Sequence, residues 1–317
     1  MVILVTGGAG FIGSHLCGRL LREGHRVVCL DNFDDFYEPE IKRRNIQEAM
    51  GNTQFELIEG DIRDTQLIPR IFQDRTFDVV VHLAARAGVR PSIDYPKLYE
   101  EVNIQGTINL LDACRELGVK SYVFASSSSV YGGNRKVPFS EEDRVETPIS
   151  PYGTTKRAGE LFCYTYHRLY GINIACLRYF TVYGPRQRPE MAIHKFTRLI
   201  EGDKRLPMYG DGQSMRDYTY IDDIIDGTIG AIYGNKEYEI YNLGESHTTS
   251  LSDLIRMLEQ ALGKKAIIEG LPEQRGDMPV TYANIEKARR KLGYAPRVSM
   301  EEGIARFVDW YRKNRFP

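Results

Sequence analysis

Residues 2–13 read VILVTGGAGFIG, an apolar run followed by glycines at positions 7, 10 and 13 and then a helical pattern. A chain with this start has few folds open to it. The run reads as a buried strand, and the glycines turn it straight into a helix. Gly7 permits the tight turn, Gly10 lets the backbone come close to a diphosphate, and Gly13 lets helix and strand pack together. The helix N-terminus then offers unpaired amides and a favourable dipole to an anion. Alone, such a turn needs no ligand; at the head of a βαβ unit it points to a dinucleotide.

The next segments supply that unit. Short β-rich runs at 2–5, 26–30, 54–58, 79–82, 122–125 and 174–177 alternate with helical patterns near 12–23, 64–73, 97–117 and 155–170. Strands spaced this way require right-handed crossovers and a parallel sheet covered on both faces. The expected class is therefore α/β, a doubly wound parallel sheet. Beyond residue 180 the rhythm loosens. Proline and glycine punctuate 183–190 and 206–212, which read as connections, and helical patterns return at 192–201, 221–233, 251–262 and 301–314. Residues 1–180 are expected to form the dinucleotide-binding domain, with return segments near 214–245. Residues 181–317 are expected to form a smaller mixed α/β substrate-binding region.

Composition excludes several partners. Lys and Arg number 42 against 43 Asp and Glu, so the net charge of −1 favours neither nucleic acid nor an anionic membrane surface. No apolar run is long enough to span a bilayer, and the N-terminal stretch lacks the basic segment and cleavage site of a signal peptide. Cys17, Cys29, Cys114, Cys163 and Cys176 are odd in number, far apart and without a CxxC. Neither disulfides nor a zinc site is expected, and a reducing, cytoplasmic compartment is. The six histidines show no ligand spacing, so no metal is expected. The acidic run Asp222-Asp223-Ile224-Ile225-Asp226 reads as the first turn of a helix, where acids are favoured.

Asp31 ends the second strand, 18 residues beyond Gly13. A carboxylate there can accept both ribose hydroxyls of NAD while repelling the 2′-phosphate of NADP, so NAD is the expected cofactor. Asp61, after the third strand, is placed to reach the adenine. Tyr152 and Lys156 form YxxxK on one face of a helix that starts at Ser150-Pro151. A phenol ionises near pKa ~10, and an adjacent ammonium is expected to bring it toward the range of a general base. Ser126, Ser127, Ser128 and Ser129 leave a strand at its carboxyl end, where doubly wound folds bind ligands. His82, also at a strand end, reads as a packed or cofactor-adjacent residue.

Together these segments resemble the extended short-chain dehydrogenase/reductases, specifically the nucleotide-sugar epimerase/dehydratase family. The likeness runs nearly end to end: 6–13, Asp31, Asp61, His82-Leu83-Ala84-Ala85, Asn103, 126–132, 152–156, 178–185 and Arg216-Asp217-Tyr218. It implies a Rossmann core in which Phe11, Ile12, Asn32, Ile62, Leu83, Ala84, Ala85, Asn103, Ala125 and Tyr179 join the residues above around NAD. By the same resemblance Ser127 is the catalytic hydroxyl, Tyr152 the base, and Lys156 holds the nicotinamide ribose. The uridine diphosphate contacts fall on Arg216 and Arg275, with Tyr209 near the uracil; arginine suits phosphate through its planar donor fork. The family commonly pairs as homodimers through the helices that here span 97–117 and 155–170.

Family members share oxidation of C4 to a 4-ketose and differ in how that ketose reacts next. Dehydratases of the family usually carry an Asp-Glu pair where this chain has Ser128 and Ser129, and the decarboxylases carry a glutamate in the same loop. Serines cannot serve as acid and base near neutral pH, whereas a 4-epimerase needs only room for the ketose to turn. Residues 181–192 with Ser127–Ser129 resemble epimerases acting on UDP-glucuronate. That implies Ser128, Ser129, Thr181 and Arg188 around a C6 carboxylate. UDP-glucose is the alternative substrate, with Arg188 then a loop charge or phosphate ligand. A non-catalytic NAD-binding scaffold is disfavoured by the intact Ser127, Tyr152 and Lys156.

Overall fold

In the computed structural model of the chain, residues 1–272 and 278–314 are described. Among them, seven strands form one parallel sheet: β1 Val2–Thr6, β2 Arg26–Asp31, β3 Phe55–Glu59, β4 Val79–His82, β5 Ser121–Ser127, β6 Asn173–Tyr179 and, from later in the chain, Tyr238–Leu243. The spatial order is Tyr238–Leu243, β6, β5, β4, β1, β2, β3. The chain runs outward from β1 to β3, crosses back, and runs outward the other way from β4. The order therefore reverses between β1 and β4, and a crevice opens at the carboxyl ends of those two strands. Both sheet faces are buried, as the unbroken apolar runs require. Ile3 and Val5 pack with Leu16 and Leu20 of the helix Phe11–Arg22, while Leu4 faces Leu110, Leu111 and Cys163 on the other side.

Residues 221–243 return to the sheet. The helix Ile221–Gly234 packs on β5, β6 and the helix Phe11–Arg22, and Tyr238–Leu243 adds to the edge beside β6. Among the remaining described C-terminal residues, the helices Ala192–Glu201, Leu251–Leu262, Glu286–Leu292 and Met300–Lys313 accompany three two-stranded pieces: Thr181–Tyr183 with Tyr218–Tyr220, Met215–Arg216 with Thr249–Ser250, and Arg205–Tyr209 with Ile267–Leu271. Arg205–Tyr209 covers part of a stretch that composition reads as a connection. A five-residue strand ending against a Gly-Asp-Gly turn carries too little periodicity to stand out. The helical stretch expected at 97–117 is interrupted: Pro96–Glu100 and Gly106–Leu117 flank a π-helical turn, Glu101–Gln105, in which Asn103 is buried. Such wide turns are a recurrent device for placing one side chain.

Candidate active site

The crevice at the switch point encloses a cavity of about 410 Å³, within the usual range for small-ligand sites. Its floor is the glycine turn. Gly7 sits at φ +69°, and a Cβ there would lie 2.7 Å from the Ala84 amide. A Cβ on Gly13 would collide with the Gly7 carbonyl, so helix and turn can pack this closely only with glycine. The helix Phe11–Arg22 starts at Gly10 with no side-chain cap, and Phe11, Ile12 and Gly13 lie on the cavity wall. Uncapped amides facing a cavity match a diphosphate.

Asp31 is held at the next strand end. Its two oxygens accept from the Ala9 amide at 3.1 Å and the Phe33 amide at 2.9 Å, with Lys42 Nζ 3.8 Å away. Burial pushes its carboxyl up against those opposing contacts. Asn32, Asp61 and Ile62 continue the wall. Asp61 already accepts from Arg63 N, Nε and Nη2 and from Asn32 Nδ2, at 2.8–3.0 Å. Burial opposes its ionisation, but these bonds outweigh that and hold the carboxyl down at about 2. Four donors fill a carboxylate's usual acceptor sites, so Asp61 orders Asn32 and Arg63 rather than presenting an unused acceptor. Leu83, Ala84 and Ala85 line the opposite wall beyond β4. Glycine floor, uncapped helix and buried carboxylate together fit a dinucleotide.

Tyr152 and Lys156 enter from the helix Pro151–Tyr170, whose start is fixed by Ser150 Oγ accepting from the Gly153 amide at 3.1 Å. A Cβ on Gly153 would crowd the Ser129 carbonyl, so this glycine sets how near the helix comes to the serine loop. Lys156 Nζ donates to the Ala125 carbonyl at 2.7 Å and lies 6.0 Å from the Tyr152 ring centre. Burial lowers its pKa to about 8. The Tyr152 phenol departs from the expected depression. Burial pushes it up, opposed by a hydrogen bond with Ser127 and the positive field of Arg188. Desolvation of the buried phenol outweighs the favourable contacts around it.

Ser127, Ser128 and Ser129 line the cavity beside Tyr152. Ser127 Oγ accepts from the Ser129 amide at 3.1 Å and caps the 3-10 turn Ser128–Tyr131. Behind them lies a buried network. Ser126 Oγ donates to Glu160 at 2.6 Å, and Arg178 grips the same carboxylate with two bonds of 2.8 and 2.9 Å. Tyr152, Lys156 and Glu160 share one helix face, so successive residues of β5, Ala125 and Ser126, are tied to one rigid element.

Thr181 and Arg188 complete the wall, with Glu190 3.0 Å from the Arg188 Nε. Arg216 lines a second cavity of about 200 Å³ that shares Ser128, Ser129 and Thr181 with the first. Tyr209 stands off both cavity walls, its ring 5.4 Å from the Arg90 guanidinium. Arg275 lies outside the described residues. Asn103 is not on the wall either: it bonds the Arg86 backbone at N and O and Thr155 Oγ1. It thus braces the cofactor-side loop against the catalytic helix. Tyr179 and Ala125 border the cavity, the Tyr179 hydroxyl pairing with Thr228 at 2.9 Å. His82 is packed, bonded to Thr6 and Thr107, and burial with the Lys156 charge lowers its pKa to about 3. Asp222 and Asp223 fall in a first helical turn, where Asp223 accepts from the Arg297 and Val298 amides.

Sequence patterns alone do not single out Lys42, Asp34, Phe36, Tyr37 and Arg86, which all line the cavity. Charges and aromatics in a short loop after a strand look like an ordinary solvated segment. The available signal is their place in the loops that follow Asp31 and Ala85, beyond the carboxyl ends of β2 and β4.

Doubly wound sheet, glycine turn and the Ser127, Tyr152 and Lys156 set together define an extended short-chain dehydrogenase/reductase. A family profile described as GDP-mannose 4,6 dehydratase matches residues 4–307. UDP-glucuronate 4-epimerase of Thermodesulfobacterium geofontis is 45% identical over 312 residues, 98% of this chain and 96% of that protein. The crystal structure of UDP-glucuronic acid 4-epimerase from Bacillus cereus, with UDP-glucuronic acid and NAD, superposes with a TM-score of 0.93 at 42% identity over 99% of each chain. UDP-glucose 4-epimerase of Thermotoga maritima, solved with UDP-glucose, gives 0.91 at 34% identity, again over 99% of each chain. The chain belongs to the nucleotide-sugar epimerase/dehydratase family.

Proposed function

We propose that the chain is an NAD-dependent 4-epimerase that interconverts UDP-glucuronate and UDP-galacturonate. The cofactor is held by the glycine turn, Asp31 and Lys156, and NAD when bound supplies reversible hydride exchange with C4. Tyr152 takes the C4 hydroxyl proton and returns it after the ketose has turned over. Ser127 bonds to the phenol and shares the same oxygen. Burial makes the phenolate a stronger proton acceptor but harder to form, and the Ser127 bond and the positive field of Arg188 offset part of that cost.

The observation that carries the uronate reading is the joint placement of Ser128, Ser129, Thr181 and Arg188 on the wall beside Tyr152. A 4-keto uronate is a β-keto acid and loses carbon dioxide when its carboxylate bond aligns with the ketone π system. Several hydroxyl donors and one guanidinium can hold the carboxylate out of that alignment. On this reading Arg216, across the shared serine wall, binds the diphosphate. UDP-glucose is the second reading, because the serine and threonine hydroxyls also suit a neutral C6 hydroxyl. The test is proton NMR of the purified protein with trace NAD and either UDP-glucuronate or UDP-glucose. UDP-galacturonate from the first tube alone supports the proposal; product from UDP-glucose alone overturns the carboxylate assignment, and UDP-xylose overturns the epimerase.

The same reading includes a homodimer through the helices at 97–117 and 155–170, supported by Leu161, Tyr164 and Leu169 exposed on one helix. It also places the protein in the cytoplasm, supported by five free, buried cysteines.

A further inference from the structure

The segment 32–42 leaves the end of β2, and its Asn32, Asp34, Phe36, Tyr37 and Lys42 line the cavity. The Tyr37 hydroxyl comes within 4.0 Å of where a Gly10 Cβ would be, directly over the glycine turn. From there the segment is fastened to both neighbouring walls. Asp34 Oδ1 accepts from Arg86 Nη1 at 2.7 Å, joining the loop after β2 to the loop after β4. Because β1 lies between those strands, the pair bridges the glycine turn. Phe36 is held between two cations: the Arg86 guanidinium lies 5.2 Å from its ring centre and the Arg188 guanidinium 5.6 Å. Neither anchor is loose. Asn103 bonds the Arg86 backbone on both sides, and Lys42 donates to the Asp34 carbonyl at 3.0 Å.

We infer that residues 32–42 form a strap that keeps NAD in place through turnover, latched by Asp34 with Arg86 and clamped at Phe36 between Arg86 and Arg188. The inference rests on the NAD reading of the cleft. It gives a 4-epimerase what its chemistry needs: the reduced cofactor must not leave between oxidation at one face of C4 and reduction at the other. The clamp also joins the cofactor side of the cleft to the loop that carries Arg188, so one segment restrains both ends.

A strap that gates the cleft slows entry and exit alike, whereas a simple contact with NAD slows exit only. The test is a chase of radiolabelled NAD from the purified protein with excess unlabelled NAD, together with the association rate, on wild type, Asp34→Asn and Phe36→Leu. Asp34 Oδ1 also accepts from the Phe36 amide at 2.9 Å, so Asp34→Asn keeps that acceptor while removing the charge, and Phe36→Leu keeps the apolar bulk while removing the ring. Each variant is expected to raise both rates about tenfold, as a loss of ~1.4 kcal/mol would, with Kd changed by no more than about threefold. Unchanged rates in both variants, or faster exit with unaltered entry, would overturn the strap. No measurable NAD binding by wild type would instead overturn the cofactor reading on which it stands.

Discussion

The two ends of the cleft are built on different plans. At the nucleotide end, Asp31 and Asp61 receive amides from residues close in sequence, such as Phe33 and Arg63, two positions on in each case. The glycine turn and the helix terminus are one contiguous piece of chain, and each carboxylate sits in a short turn of its own. At the sugar end nothing is contiguous. The serines leave β5, Thr181 follows β6, Arg188 sits on the next loop, and Arg216 comes from a short strand further on. Asp217 holds that strand by accepting from the amides of Glu245, Ser246 and Ala283. Burial raises the Asp217 carboxyl to about 6 even with those bonds. One end is specified locally, then, and the other by long-range pairings that exist only once the chain has folded.

Tyr152 stands where the two plans meet, so Tyr152→Phe separates them most sharply. Removing only the proton-transfer hydroxyl should cut turnover by at least about 10²–10⁴-fold, the usual share of positioned acid–base catalysis, while folding and NAD binding persist. Turnover near wild type would dismiss Tyr152 as the base, and lost NAD binding would mean the two ends are not separable. Glu160→Ala comes next. It strands the Arg178 guanidinium, 1% exposed, without its carboxylate and frees Ser126. Breaking a buried pair from one side costs about 3–5 kcal/mol, to be read from urea unfolding. A loss under about 1 kcal/mol would show that the network does not hold the sugar-side wall together.

This contrast explains which parts of the molecule are legible in its sequence. The glycine turn, Asp31 and YxxxK each signal within a few residues, and the doubly wound sheet follows from their spacing and the alternating pattern. The Glu160–Arg178 pair is 18 residues apart in sequence and means nothing until β5, β6 and the helix are in contact. The strap is hidden differently: Asp34, Phe36 and Tyr37 look like loop residues, and only the order β4, β1, β2 brings Arg86 to them. The tyrosine pKa runs against expectation because a helical spacing says that Lys156 is near without saying how deeply the phenol is buried.

Arg188→Ala tests the sugar end by itself. Its loss should reduce kcat/KM for UDP-glucuronate by about 30- to 150-fold, in line with about 2–3 kcal/mol for a charged hydrogen bond, and leave UDP-glucose turnover changed far less. UDP-xylose appearing among the products would tie Arg188 to suppression of decarboxylation. Equal losses on both sugars would instead give it a phosphate role, and the two ends would then share a ligand rather than a strap.

The smallest effect belongs to the nucleotide end, beneath the glycine turn. His82 is buried between Thr6 and Thr107, and burial, then the charge of Lys156, hold its pKa at about 3 against 6.5. The native pKa is the lower one, so as pH falls below 6.5 the unfolded chain binds a proton that the native protein refuses. Stability present above pH 6.5 is therefore lost on acidification, by up to about 1.4 kcal/mol per pH unit, or ~2 kcal/mol by pH 5. His82→Gln keeps a donor and an acceptor for the two threonines but cannot titrate. Urea unfolding at pH 7.5, 6 and 5 should give this variant a flatter pH dependence by that amount, whatever its stability at neutral pH. Parallel curves for variant and wild type would mean that His82 is not held neutral. The packed floor of the nucleotide end would then be more accessible to water than its hydrogen bonds imply, and the contrast with the sugar end correspondingly weaker.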